Sequence, residues 1–540
     1  MASLTEETLD NFRGGLAERR ASTEFGRGQW SKLHGFVIED GGRLRSQWAL
    51  QKIGGQQDIG ALGVYEGHSG AVFLVAVTSS GAIRWAEAPA DDETDDLDPT
   101  WQDLVNADAS EPSSAGSPEQ RRPVARVPLD QVTSAGFRST LLLTSIHMGD
   151  DGTAVFVYED DAGGTLRFFE VDELWPSSSL DEVAPKGQYG ALWNGVLVLG
   201  DIEWRDDAEQ ELSQSNKKRW RNSLWLSEPG RPLDFDPLSV VHVGDAHERI
   251  TGLQPIEAGL LVFTSSDSSS GGGVWILRGT PDAFSRAPLR LGVGANRGQA
   301  AWQETGTGAW VTATGEVWQT DGQQVARLDW QGLDVSRSPD AGNGVAEFGP
   351  WLLAALDDRL FACRALDDQE GAAWTELQVD GVGEIDMASV AHIGNQLLLL
   401  ADGEVFRFTR ADGPARGETP DGLVELKVGS RTLESRPPTQ KTFWHRIGLR
   451  ATAGSGAAVA SVDRIRLSAG PVLDVDAPSL DREGPWSLLE GQAPRRWQAL
   501  VRGPGACNEL GVEVTMSGDV VVEQLAVAFR GAIRGDEEGR

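Results

Sequence analysis

The sequence predicts an all-β protein: a β-propeller of six or seven blades, seven being the better count, followed by a C-terminal β-sandwich. Three observations carry that expectation. A short apolar strand, a turn rich in Asp or Gly, and a second strand that often carries Trp recur along the chain. The 65 Gly and 25 Pro suit frequent turns rather than long helices. The strand groups return every 35–50 residues or about that, the length of one four-stranded blade.

Each element follows from its own residues. Over residues 1–20, Ser3 or Thr5 can cap a helix, Glu6 and Glu7 suit its first turn, and Leu9, Phe12 and Leu16 recur at helical spacing. A short amphipathic helix is expected there. Residues 21–58 contain Trp30, Leu33, Phe36-Val37-Ile38 and Trp48-Ala49-Leu50 and read as an extended arm that packs on, or closes, the first sheet. One repeat runs Ala71–Val77, Ser79-Ser80-Gly81, Ala82–Trp85; another runs Thr153–Tyr158, a turn at 160–164, then Thr165–Phe169. The groups fall near 59–87, 137–175, 187–243, 250–292, 297–330, 345–379 and 384–410. Two polar insertions interrupt them. One begins at Asp91-Asp92-Glu93-Thr94-Asp95-Asp96-Leu97-Asp98 and runs to Glu119, and the other joins Asp206-Asp207 to Lys217-Lys218-Arg219. After Pro420-Asp421-Gly422 the loops lengthen and the strands alternate, as in a sandwich. The expected domains are an N-terminal arm (1–58), a propeller (59–418) and a sandwich (419–540).

Composition narrows the function classes. The formal net charge of −33 argues against binding duplex nucleic acid through a general basic surface. It favours solubility, crowded assembly with basic partners, or a conduit that does not hold DNA. Nineteen Trp against three Tyr, placed at strand intervals, read as wedges between sheets rather than a ligand platform. Cys363 and Cys507 allow one long-range disulfide, but two buried free thiols fit better. The first residues lack the basic and apolar regions of a secretory signal, and no run approaches the 20 or so apolar residues of a membrane span. A soluble protein made in a cytoplasm, with no membrane insertion, is expected.

Tests for chemistry return no site. Asp40-Gly41-Gly42 and Asp150-Asp151-Gly152 lack the twelve-residue calcium pattern and sit where hairpins must turn. His34, His68, His147, His242, His247, His392 and His445 show no zinc spacing, although His242 and His247 lie five apart. No G-x-S-x-G elbow supports a serine nucleophile. Gly292–Gly298 looks like a phosphate loop only until one asks for the helix that should follow. With 81 acidic residues, paired carboxylates carry no information. The reading assigns no catalytic, cofactor-binding or metal residue and no cofactor.

The most specific segment runs Gly187–Val198, then Asn222-Ser223-Leu224-Trp225-Leu226-Ser227-Glu228-Pro229-Gly230-Arg231-Pro232-Leu233-Asp234-Phe235, then Ile250–Pro255, Leu260–Phe263 and Val274–Gly279. This order resembles propeller-containing tail proteins of tailed bacteriophages, both nozzle or tail accessory proteins and minor tail proteins. The resemblance covers about 190–292 in detail and otherwise extends only to architecture and composition. It implies a non-enzymatic virion component of the tail, made in the host cytoplasm. Its partners would be other tail subunits in a homo-oligomeric ring, adjacent portal, adaptor or fibre proteins, and genomic DNA passing without specific binding. An acidic lumen would let DNA slide by repelling it. Two other functions stay open on the residues alone: a cellular propeller that serves as an interaction scaffold, and a propeller enzyme that degrades envelope glycans with a carboxylate pair in its channel.

Overall fold

Ladders between sequence neighbours organise the middle of the chain into small antiparallel sheets. The computed structural model describes most of residues 30–106, 186–328 and 344–530 apart from turn segments, together with 5–9, Phe12 and the strands within 125–170. Among the described residues there is no α-helix.

Seven blades follow in order. Blade 1 comprises Ile59–Glu66, Val72–Thr78, Ile83–Ala88 and Gln102–Asp103. Blade 2 comprises Ala125–Pro128, Thr140–Leu143, Val155–Glu159 and Leu166–Glu170, with Val105–Asn106 added in parallel. Blade 3 is Lys186–Trp193, Val196–Trp204, Lys218–Glu228 and Arg231–His242. Blade 4 is Glu248–Ile256, Gly259–Ser266, Gly273–Thr280 and Ala283–Leu291. Blade 5 is Ala295–Trp302, Thr307–Thr312, Val317–Thr320 and Val325–Leu328. Blade 6 is Gly344–Phe348, Trp351–Leu356, Arg359–Arg364 and Ala373–Leu377. Blade 7 takes Ile385–Ile393, Gln396–Ala401 and Glu404–Phe408, and its outer strand is Leu50–Ile53 from the N-terminal arm. The first strand of blade 7 lies against that of blade 1, so the ring closes. The arm therefore completes the last blade, where the sequence pointed to the first.

The residues explain why blades stack. Middle strands such as Trp351–Leu356 and Gln396–Ala401, the latter apolar from Leu397 onward, are buried along their whole length, because a neighbouring blade covers each face. Side chains alternate between neighbours. Leu397 and Leu399 face blade 6, while Leu398 and Leu400 face blade 1. Asn194-Gly195 and Asp402-Gly403 take positive φ at both positions, which is what a two-residue hairpin turn demands. Trp48, Trp225, Trp310 and Trp374 are fully buried. The Trp310 indole donates to the Val293 carbonyl at 2.7 Å.

The C-terminal part is a sandwich of two sheets. One contains Phe36–Ile38, Leu44–Ser46, Val520–Arg530, Thr442–Ala453 and Arg495–Ala499. The other contains Lys32–His34, Glu425–Gly429, Glu509–Gly518, Ala460–Ser468 and Ser479–Leu488. Lys32–His34 also runs parallel to the outer strand of blade 6, so one sheet passes from propeller into sandwich. The domain limits 1–58, 59–418 and 419–540 run along the chain, whereas the sheets cross them: residues 32–46 serve the sandwich and residues 50–53 the propeller.

The expected N-terminal helix is corrected. Thr5–Leu9 is a strand, antiparallel to Val520–Arg530 with Thr5 opposite Phe529. A short segment with only Leu9, Phe12 and Leu16 at helical spacing gains little as an isolated helix. The long edge of Val520–Arg530 satisfies its backbone instead. Phe12 is fully buried and stacks on Trp30 at 4.5 Å.

Candidate functional site

The residues tested in the sequence scatter through the fold. Gly42 closes the hairpin between Phe36–Ile38 and Leu44–Ser46, with its N–H donating to the Glu39 carbonyl at 3.0 Å. Asp40, Gly41, His68, His147 and Asp150–Gly152 lie outside the described residues. Gly292–Gly298 leads into a strand, not a helix, and the Gly292 N–H donates to the Gly272 carbonyl at 2.7 Å. His242 and His247 are both exposed. The backbone of His445 sits at an irregularity in Thr442–Ala453. Among the described residues no group of His, Cys, Asp and Glu is arranged to hold a metal ion. No helix there is long and apolar enough to cross a membrane.

One Ser–His pair invites a catalytic reading. The Ser223 hydroxyl lies 2.6 Å from His242 Nδ1, across the third and fourth strands of blade 3. Ser223 is fully buried, however, so its oxygen offers no approach to a substrate. Cys363 is a buried free thiol in blade 6. Burial pushes its pKa upward, and it is no nucleophile.

Polar chemistry concentrates where the arm joins propeller to sandwich. Gln47 donates to the Gln378 carbonyl at 2.8 Å and accepts from the Gln378 N–H at 2.7 Å. Gln378 Oε1 in turn accepts from the Glu425 N–H at 2.7 Å. These amides bond the arm, the end of blade 6 and the first sandwich strand together. Beside them, Glu376 meets Arg359 at 2.8 Å and His34 at 3.4 Å. Burial pushes the Glu376 carboxyl up, but the hydrogen bonds from His34 and Arg359 outweigh it and hold it at about 2. Asp519 shows the opposite balance. Its carboxylate accepts from the Ser46 hydroxyl at 2.8 Å, yet its second oxygen is buried without a hydrogen-bond partner. Burial there outweighs Ser46, Arg45 and Arg416 and raises its pKa. Sequence reasoning missed this junction because its bonded partners stand far apart in the chain, Ser46 and Asp519 by 473 positions.

The channel wall is built from the first strand of each blade. Those strands carry Glu66, Glu248, Glu347 and Asp386 against Arg126, Lys186, Arg249 and Arg297.

No family model and no curated protein matches the chain. Among solved structures, the chain is similar to BBS1N in a crystal structure of its complex with ARL6DN, at 9% identity and a TM-score of 0.38, over 68% of this chain and 97% of that one. It is similar to BamB from Moraxella catarrhalis at 11% identity and 0.35, over 76% and 99%. It is similar to YCF48 bound to D1 peptide at 11% and 0.37, over 67% and 97%. These likenesses add no weight to the fold, which rests on the sheet order itself.

Proposed function

We propose that this chain is a non-enzymatic structural subunit, a rigid docking platform within a multiprotein assembly, and that the assembly is the tail of a bacteriophage. The observation that carries the platform reading is the shared core. Val311, Leu352 and Trp374 of blades 5 and 6 belong to one buried apolar cluster with Leu426, Val514 and Val527 of the sandwich. Two parts joined through a common core hold fixed orientations, as a platform requires. The tail setting rests on the resemblance over about residues 190–292, the span of blades 3 and 4. Mass spectrometry of purified virions tests the setting: the protein should be present in stoichiometric amounts with portal and tail proteins. Its absence from particles, together with recovery in complexes from uninfected cells, would return it to the cellular scaffolds.

A further inference from the structure

We propose that the outer strand of blade 4, Ala283–Leu291, docks the acidic run Asp91–Asp98 of a second copy of this chain. Among the described residues this strand stands apart from the other blade rims. It is nine residues long, carries Arg286 and Arg290 and no acid, and ends at Leu291, the exposed large apolar residue, which is 62% accessible. Its inner side pairs with Gly273–Thr280, and its outer side is the end of the sheet. Arg286 shares a face with Leu277, toward blade 3. Arg290 lies over the Trp318 ring of blade 5 at 4.4 Å. A peptide added to this edge therefore meets a guanidinium on each of its own faces.

The other rims do not offer this. Arg231–His242 carries Asp234 and Asp236. Val325–Leu328 has four residues, and its Arg327 is paired with Glu316 at 3.0 Å. Asp103 occupies the rim of blade 1 and pairs with Arg84 at 3.1 Å. Lys32–His34 covers the rim of blade 6, and Lys52 on the rim of blade 7 is engaged by Glu404 at 2.6 Å.

Charge complementarity names the occupant. Residues 91–98 place six carboxylates in eight positions, close to the length of the strand. Their own copy cannot deliver them. They lie between the third and fourth strands of blade 1, and in a seven-bladed ring blade 4 is nearly opposite. Residues 89–99 are held at both ends, so they reach out only about 19 Å at 3.5 Å per residue. Four strands spaced about 4.8 Å apart put the outer strands of opposite blades about 29 Å apart before the channel is counted. A contact from one side of a copy to the far side of the next is head-to-tail, and it generates a ring or a filament. This names the partner within the proposed assembly and so rests on that reading.

Sedimentation velocity of the full chain tests it. Self-association should be evident at about 0.02 M salt and weaken at least tenfold in Kd by about 0.5 M, as screening shortens. The pair R286E/R290E and the set D91K/D92K/D95K/D96K should each lose association at least tenfold. An equimolar mixture of the two should associate again, which also shows that both fold. A wild-type chain that stays monomeric at every salt concentration overturns the contact and leaves the arginines as guards of an exposed edge. Association that ignores both variants overturns it too. Virions that contain the protein while the isolated chain is monomeric would sink this contact and leave the assembly reading standing.

Discussion

At the scale of single residues, Glu376 is where the junction answers to pH. Its carboxylate is held at about 2 against an ordinary 4.5, chiefly because His34 and Arg359 outweigh the cost of burial. A depressed folded pKa contributes stability that is complete above the unfolded value. That stability is lost as pH falls from about 4.5 toward about 2. The difference between those values sets a ceiling of about 3 kcal/mol. Glu376→Gln should therefore cost up to that amount at pH 7, read by urea denaturation, and flatten the stability profile across the acid window. A variant with the same acid slope as the wild type would remove Glu376 from the account. None of this was legible in the sequence. Glu376 is one of 81 acids; Arg359 meets it across the last two strands of blade 6, and His34 becomes its partner only when the arm crosses to that blade.

At the scale of elements, strands were readable and their partners were not. Repeated apolar runs joined by turns of Asp or Gly place blades 3–6 within a few residues of their observed limits, because each strand pairs with its neighbour in sequence, whereas the groups read for blades 1 and 7 each lack the outer strand. Leu50–Ile53 and Thr5–Leu9 find partners hundreds of residues away, and no local period encodes that choice. The first of these strands has the larger consequence, since it closes the ring. Gln51 sits opposite Arg407, and its side-chain oxygen accepts from the Arg407 guanidinium at 2.7 Å. Thr409 donates to the Ala49 carbonyl, so alternation in an antiparallel ladder aims the Gln51 N–H at blade 7. Gln51→Pro removes that donor and the side-chain acceptor together. It should cost about 3 kcal/mol or more in chemical denaturation followed by Trp fluorescence, whereas Gln51→Ala should cost about 1. Equal effects would mean that the backbone of this strand does not hold the ring.

At the scale of the whole molecule, the chain binds its two parts by threading rather than by a linker. Residues 32–46 lie in the sandwich, residues 50–53 complete blade 7, and Gln47 bonds to Gln378 between them. The apolar cluster is continuous from Val311 and Trp374 to Val514 and Leu525. Opening either part exposes core belonging to the other, and the loss of the arm opens both. Calorimetry of the full chain should therefore give one transition whose van't Hoff and calorimetric enthalpies agree. A chain of residues 59–418 lacks the outer strand of blade 7 and the Lys32–His34 cover on blade 6. It should expose apolar surface to a hydrophobic dye and lose the sharp transition. Adding residues 30–58 back should restore little, because Phe36, Leu44 and Trp30 would then lack the sandwich core that buries them. Two separate transitions in the full chain, or a stable ring from 59–418, would show the parts to be independent domains and would leave a docking platform no rigid frame.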